Sequence, residues 1–167
     1  MIATRYSTTD GRGRAVAVSV EPRCVTVEID GELAEIARVS GDAERPGVPI
    51  GTRESAELSL IADGRPCPLT LGRGRLSRRS YRARFELDGH TYTFVPVSEV
   101  ENALRRGRTT LARFLVADDG RVETFEVDRE TANSLETAAG VALATAFGCG
   151  ARHGLEALID VVTGGVA

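Results

Sequence analysis

Six arginines, Arg73, Arg75, Arg78, Arg79, Arg82 and Arg84, fall within twelve residues with no acidic residue among them. Arg105, Arg106 and Arg108 form a second basic group. Guanidinium is a planar, permanently charged fork that meets carboxylate or phosphate oxygens in pairs. Gly72 and Gly74 flank Arg73 and would let backbone N–H groups approach an anion. The chemistry this suggests is capture of an anionic partner: a lipid head group, another phosphate ligand or an acidic protein surface. Nucleic acid is disfavoured, because the net charge is −3 and only 5% of residues are aromatic. Strand alternation would also set Tyr81 and Phe85 on the face opposite Arg82 and Arg84.

Bond-making chemistry finds little support. The chain has no lysine, which excludes Schiff-base, P-loop and kinase-type lysine mechanisms. A GC-rich, bacterial coding bias accounts for the all-arginine usage, although selection against amine modification would leave the same mark. His153 lies four residues after Cys149, a spacing that shares one helix face. Cys149 stands between two glycines beside an apolar segment, however, where a thiol acts as a small packing group. His90, His153, Cys24, Cys67 and Cys149 show no zinc spacing. No catalytic residue, metal or cofactor is therefore expected. The three cysteines read as free thiols of a cytoplasmic protein, and Met1 to Asp10 lacks the apolar stretch of a signal peptide.

The elements that would display these arginines are legible from the turns. Asp10-Gly11, Asp30-Gly31, Asp63-Gly64, Asp88-Gly89 and Asp119-Gly120 each carry the strongest short-range hairpin signal. A two-residue turn at Asp88-Gly89 pairs Phe85 with Tyr92 and Ala83 with Phe94, while Glu86 faces Thr91 on the other side. The Asp63-Gly64 turn pairs Leu60 with Cys67, Leu58 with Leu69 and Ala56 with Leu71, with Pro66 and Pro68 marking an edge or a bulge. The Asp30-Gly31 turn pairs Val27 with Ala34 and Val25 with Ile36. The Asp119-Gly120 turn pairs Phe114 with Phe125 and Ala112 with Val127, but sets Val116 against Glu123. The Asp10-Gly11 hairpin is the weakest, since Val16, Val18 and Val20 lack apolar partners. Residues 40–54 read as a long loop. Ser98 and Glu101 form a capping-box pattern that predicts a short helix within 98–110, ending in the basic turn Arg105-Arg106-Gly107-Arg108.

Beyond Val127 the period changes. Asp128 or Thr131 would cap a helix over Leu135–Phe147, apolar on most sides and therefore buried on most sides. Gly148, Gly150 and Gly154 would weaken it, and Leu155–Val162 could add a last amphipathic turn. Its uncharged run, Thr137 to Ala151, is shorter than the ~20 residues a bilayer core requires, so no transmembrane segment is expected.

The expected fold is mainly β: one domain over 1–167, an antiparallel meander of about ten strands in 1–127, a helical segment in 128–163 and a frayed tail at 164–167. Many short strands followed by one small-residue helix suggest a sheet closed, or nearly closed, around that helix. A two-sheet sandwich flanked by the helix is the alternative. Hairpins from Tyr6 to Val127 followed by Leu135–Phe147 resemble, in element order, the tubby-like C-terminal barrel shared by tubby proteins, phospholipid scramblases and their small plant and bacterial relatives. The resemblance implies a central helix and recognition of phosphoinositide head groups by basic residues on the barrel. No diagnostic motif transfers a binding residue individually, and the chain departs from the family in its lack of tryptophan and its glycine-broken tail. The functional expectation is a non-enzymatic binding or scaffold module that meets an anionic partner through the nine arginines, cytoplasmic or peripheral to the membrane. The alternatives are an assembly subunit or homo-oligomer using residues 148–167, and a small-ligand or enzyme site at the barrel mouth near His90.

Overall fold

The computed structural model describes residues 3–75 and 77–150. Among these residues twelve strands run as two sequential antiparallel meanders. The first sheet contains β1 (Thr4–Thr9), β2 (Ala15–Glu21), β3 (Cys24–Ile29), β4 (Glu32–Arg38), β5 (Leu58–Ala62) and β6 (Arg65–Cys67). The second contains β7 (Leu69–Leu71), β8 (Ala83–Leu87), β9 (His90–Pro96), β10 (Glu101–Arg106), β11 (Thr109–Val116) and β12 (Val122–Val127). Among the described residues one α-helix, α1 (Ser134–Phe147), follows. It packs on β3 and β4 of the first sheet and on β11 and β12 of the second.

The Asp-Gly turns set the register wherever both residues take a positive φ. Asp30, Asp63 and Asp88 do so together with Gly31, Gly64 and Gly89, as a two-residue type I′ turn requires. Val27 accordingly faces Ala34, Leu60 faces Cys67, and Phe85 faces Tyr92. The other two Asp-Gly pairs sit in wider loops. Asp10 caps its loop by accepting the N–H groups of Arg12 and Arg14 through Oδ1, both at 2.9 Å, and Thr9 pairs with Ala15. At Asp119-Gly120 the register shifts between Leu115 and Val116, so Val116 meets Val122 rather than Glu123. A bulge thus removes the mismatch that a strict two-residue turn implied.

Two expectations are corrected. The Asp63-Gly64 hairpin stops at Cys67. Pro68 lacks the donor a ladder needs, and the chain crosses into the second sheet. There Leu69 pairs with Phe85 and Leu71 with Ala83, not with Leu58 and Ala56. Residues 98–110 form no helix. Ser98 Oγ does accept the N–H groups of Val100 and Glu101, at 3.3 and 3.1 Å, as a capping serine would. The chain then enters β10, whose Asn102 pairs with both Pro96 and Phe114. Gly107 has φ +60° at the first position of the two-residue turn between Arg106 and Thr109. That glycine supplies the positive φ of a tight hairpin, and neighbouring strands on both sides outweigh the local helix signal.

The helix matches its expected span, but its cap is neither Asp128 nor Thr131. Asn133 Oδ1 accepts the Glu136 N–H while Glu136 Oε2 accepts the Asn133 N–H, both at 2.8 Å, a complete capping box. The thirteen residues from Leu135 to Phe147 are all buried. The core is continuous, joining Val16, Val27, Ile36 and Leu60 of the first sheet, Phe85, Phe94, Phe114 and Phe125 of the second, and the alanines of α1. Gly148 has φ +61° and ends the helix. Gly154 and Leu155–Val162 lie outside the described residues.

Candidate functional site

Two buried arginines, Arg38 at the end of β4 and Arg53 in the long segment between β4 and β5, have different partners. Arg38 and Arg53 are each only 5% exposed. The guanidinium of Arg38 pairs with Glu44 at 2.8 Å and Glu57 at 3.6 Å and donates to the Ser40 and Ala43 carbonyls. Arg53 has no carboxylate within ion-pair distance among the described residues. Its Nε donates to the Gly72 carbonyl at 3.3 Å and one terminal nitrogen, Nη2, to the Tyr81 carbonyl at 2.7 Å. Its central carbon lies 5.4 Å from the Tyr81 ring centroid and 4.9 Å from that of Phe147. Two ring faces and two carbonyls offset part of the cost of burying the charge, but none supplies a counter-ion. Burial, reinforced by the positive charge of Arg45, pulls the Arg53 pKa down to about 10.

Arg53 forms one wall of a cleft between this segment and the loop joining β7 to β8. The loop is narrow: the Gly72 N–H bonds the Arg82 carbonyl at 2.8 Å and the Gly74 N–H the Ser80 carbonyl at 2.7 Å. These two N–H groups, expected to face an anion, are used to shape the loop. A short 3-10 turn, Arg78–Tyr81, presents Tyr81 to Arg53. Arg45 crosses the cleft and donates to the carbonyls of Arg73, at 2.9 Å, and Gly74. The polar part of the cleft encloses about 500 Å³ and is lined by Arg45, Arg53, Arg73, Arg75 and Glu54 with Ser55 and Leu71. Four arginines and one glutamate line it, and among the described residues none of the four arginines forms an ion pair.

The sequence-derived arginines separate into three places. Arg73 and Arg75 join the cleft. Arg78, Arg79, Arg82 and Arg84 are exposed outside it, and Arg78 donates to the Val97 carbonyl at 3.3 Å. Register sets Arg84 and Arg105 on either side of Thr93 on three adjacent strands. Arg106 and Arg108 belong to the far end. Arg106 is bound to buried Glu136 at 3.0 Å, in the first turn of α1, while the cleft touches Phe147 at the last. A helix of 14 residues separates these ends by ~21 Å. The two basic groups therefore meet only through Arg84 and Arg105, and Arg106 stands apart from the cleft. Sequence density marked Arg73 and Arg75 but missed Arg45 and Arg53, which are scattered singly in a loop rich in glycine, proline and charge.

His90 is exposed at the start of β9. Cys149 is buried against the Asn102 amide at 3.1 Å, and His153 lies outside the described residues, as does nearly all of the 148–167 segment. Among the described residues no three His, Cys, Asp or Glu side chains converge on a metal position, and no helix is long and apolar enough to cross a membrane. Compared with known protein families, curated proteins and solved structures, the chain has no significant match.

Proposed function

We propose that the protein is a non-enzymatic binding module that takes an anionic, phosphate-bearing partner in the cleft of Arg45, Arg53, Arg73 and Arg75. The observation that carries this reading is Arg53, a buried guanidinium without a carboxylate, beside Arg38, which has two. The segment after β4 thus neutralises the buried arginine at the end of that strand, through Glu44 and Glu57, and leaves its own Arg53 for an external anion. A phosphate would accept charge-assisted hydrogen bonds from several forks at once and restore the normal basicity of Arg53. A concave cleft suits a discrete phosphate group better than a broad acidic surface.

The scaffold reading goes with it: the two sheets are the halves of one nearly closed barrel of the tubby-like kind. Three features support it. The twelve strands follow one another in chain order. The β6–β7 seam is crossed by a single residue, Pro68. At the β1–β12 seam Tyr6 Oη accepts the Val122 N–H and Thr8 Oγ1 donates to the Glu123 carbonyl, both at 3.1 Å.

Calorimetric titration of the full chain with inorganic phosphate tests the binding reading. Phosphate should bind and raise the melting temperature, because a ligand specific for the folded state stabilises it. Binding should weaken steeply as the Debye length falls from about 30 Å at 0.01 M salt to about 8 Å at 0.15 M. The Arg73→Ala/Arg75→Ala variant, changed at two exposed positions, should keep its fold and lose most of the affinity. Phosphate acting no differently from chloride at matched ionic strength would overturn the proposal.

A further inference from the structure

Beside its polar part the cleft opens into a second compartment of about 300 Å³, walled by Pro46, Val48, Tyr81, Phe147 and Gly150. Arg45, Arg53 and Arg75 line both compartments, so one set of guanidinium groups stands between a charged chamber and an apolar one. The chemistry of the walls differs accordingly. On the charged side stand four arginines and Glu54. On the apolar side, the rings of Tyr81 and Phe147 are held by Arg53, and proline and valine complete the wall. An inorganic anion would fill only the first chamber and leave water against the second. A ligand that fills both must join an anionic head to a compact apolar body, and aromatic walls favour a flat one.

We propose that the ligand is a small phosphate monoester carried on a flat apolar ring, an inference that rests on the anion-binding reading above. The phosphate lies against Arg45, Arg53, Arg73 and Arg75, and the ring enters the compartment of Pro46, Val48, Tyr81 and Phe147. Phosphate rather than carboxylate follows from the charge: a lining of four arginines and one glutamate matches a dianion, with three oxygens to share among several forks. A ring rather than a long chain follows from the size of the second chamber.

The test compares phenyl phosphate, inorganic phosphate and benzoate by calorimetry on the full chain at constant ionic strength. A pH of about 7.5 keeps the phosphates largely dianionic. Phenyl phosphate should bind at least about tenfold more tightly than inorganic phosphate, the gain coming from the buried ring, and benzoate should be weaker than phenyl phosphate. Val48→Trp, which fills the apolar chamber, should erase the advantage of phenyl phosphate while inorganic phosphate still binds. Pro46→Asn, at an exposed wall position, should reduce the same advantage without altering the interior. Equal affinity for phenyl phosphate and inorganic phosphate would overturn this inference and leave the anion reading standing. Benzoate binding as well as phenyl phosphate would overturn the choice of phosphate. Failure of all three to bind would overturn both readings.

Discussion

At the scale of single residues, buried charge in this protein follows two patterns. Where the fold needs a fixed charge, it supplies partners from within. Glu136 is buried at the start of α1, where its Oε1 accepts the Tyr92 hydroxyl at 2.6 Å and Arg106 at 3.0 Å, and its Oε2 accepts the Asn133 N–H. Burial, followed by the hydrogen bond and charge of Glu136, pushes the Tyr92 phenol up to about 12. The folded state therefore holds this proton more tightly than the unfolded chain, whose tyrosine ionises near 10. The Tyr92 contribution is complete below pH ~10 and is lost as pH rises toward about 12, because the folded form then binds more protons than the unfolded one. Spectroscopic titration at the tyrosinate band should show a late phase near pH 12 that Tyr92→Phe lacks. The same variant should cost about 1 kcal/mol at neutral pH for the lost hydrogen bond. A Tyr92→Phe protein with an unchanged alkaline titration would contradict this account. Arg53 is the second pattern, a buried charge set against ring faces and carbonyls instead of a carboxylate, and nothing local in the sequence distinguishes it from Arg38. Both are lone arginines in chain segments without a motif, and only tertiary contact assigns carboxylates to one and rings to the other.

At the scale of elements, α1 shows why its composition is what it is. A Cβ placed on Gly140 would lie 2.2 Å from Phe114 Cζ and 2.7 Å from Cε2. Phe114 cannot retreat, since Phe94 and Phe125 hold it at centroid distances of 6.0 and 5.4 Å. Glycine to alanine within a helix ordinarily gains ~1 kcal/mol. Here overpacking, worth about 1–3 kcal/mol, outweighs it, and Gly140→Ala should destabilise the protein in urea by about 1–2 kcal/mol. Combining it with Phe114→Leu should restore part of the loss relative to Phe114→Leu alone. A stabilised single variant would show that the ring yields easily. The small, uncharged residues of α1 were visible in the sequence and correctly implied enclosure. So were the hairpins whose Asp-Gly turns demand positive φ, because that requirement is local. Signals that imitate one another misled. Ser98 makes the hydrogen bonds of a helix cap yet leads into a strand, and a continued hairpin through Pro68 is indistinguishable in pattern from a crossing between sheets. The density of the arginine-rich segment and its flanking glycines was legible, but the hydrogen-bonded shape of the loop it forms, and hence the engagement of the Gly72 and Gly74 N–H groups, depends on contacts no spacing reveals.

At the scale of the whole molecule, the two sheets share no ladder among the described residues, yet one hydrophobic cluster includes residues of both and of α1. Buried side chains from β3 and β4 meet the helix on one side and those of β11 and β12 on the other. Neither sheet can cover its apolar face if the helix leaves, and a helix with every side buried has no surface suited to water. Stability should therefore be shared, and the protein should unfold as one cooperative unit. Gly140→Ala provides the decisive lesion because the three atoms nearest its added Cβ all belong to Phe114 of the second sheet. If the unit is single, native-state hydrogen exchange should find the slowest amides of β3 and β4 losing protection by the same factor as those of β11, about tenfold for each ~1.4 kcal/mol. The calorimetric and van't Hoff enthalpies should remain equal. Loss of protection confined to β10–β12, with β3 and β4 unchanged, would mean that the sheets are separate cooperative units. The cleft, whose walls come from the β4–β5 segment on one side and the β7–β8 loop on the other, would then depend on how two independently stable halves meet rather than on one continuous core.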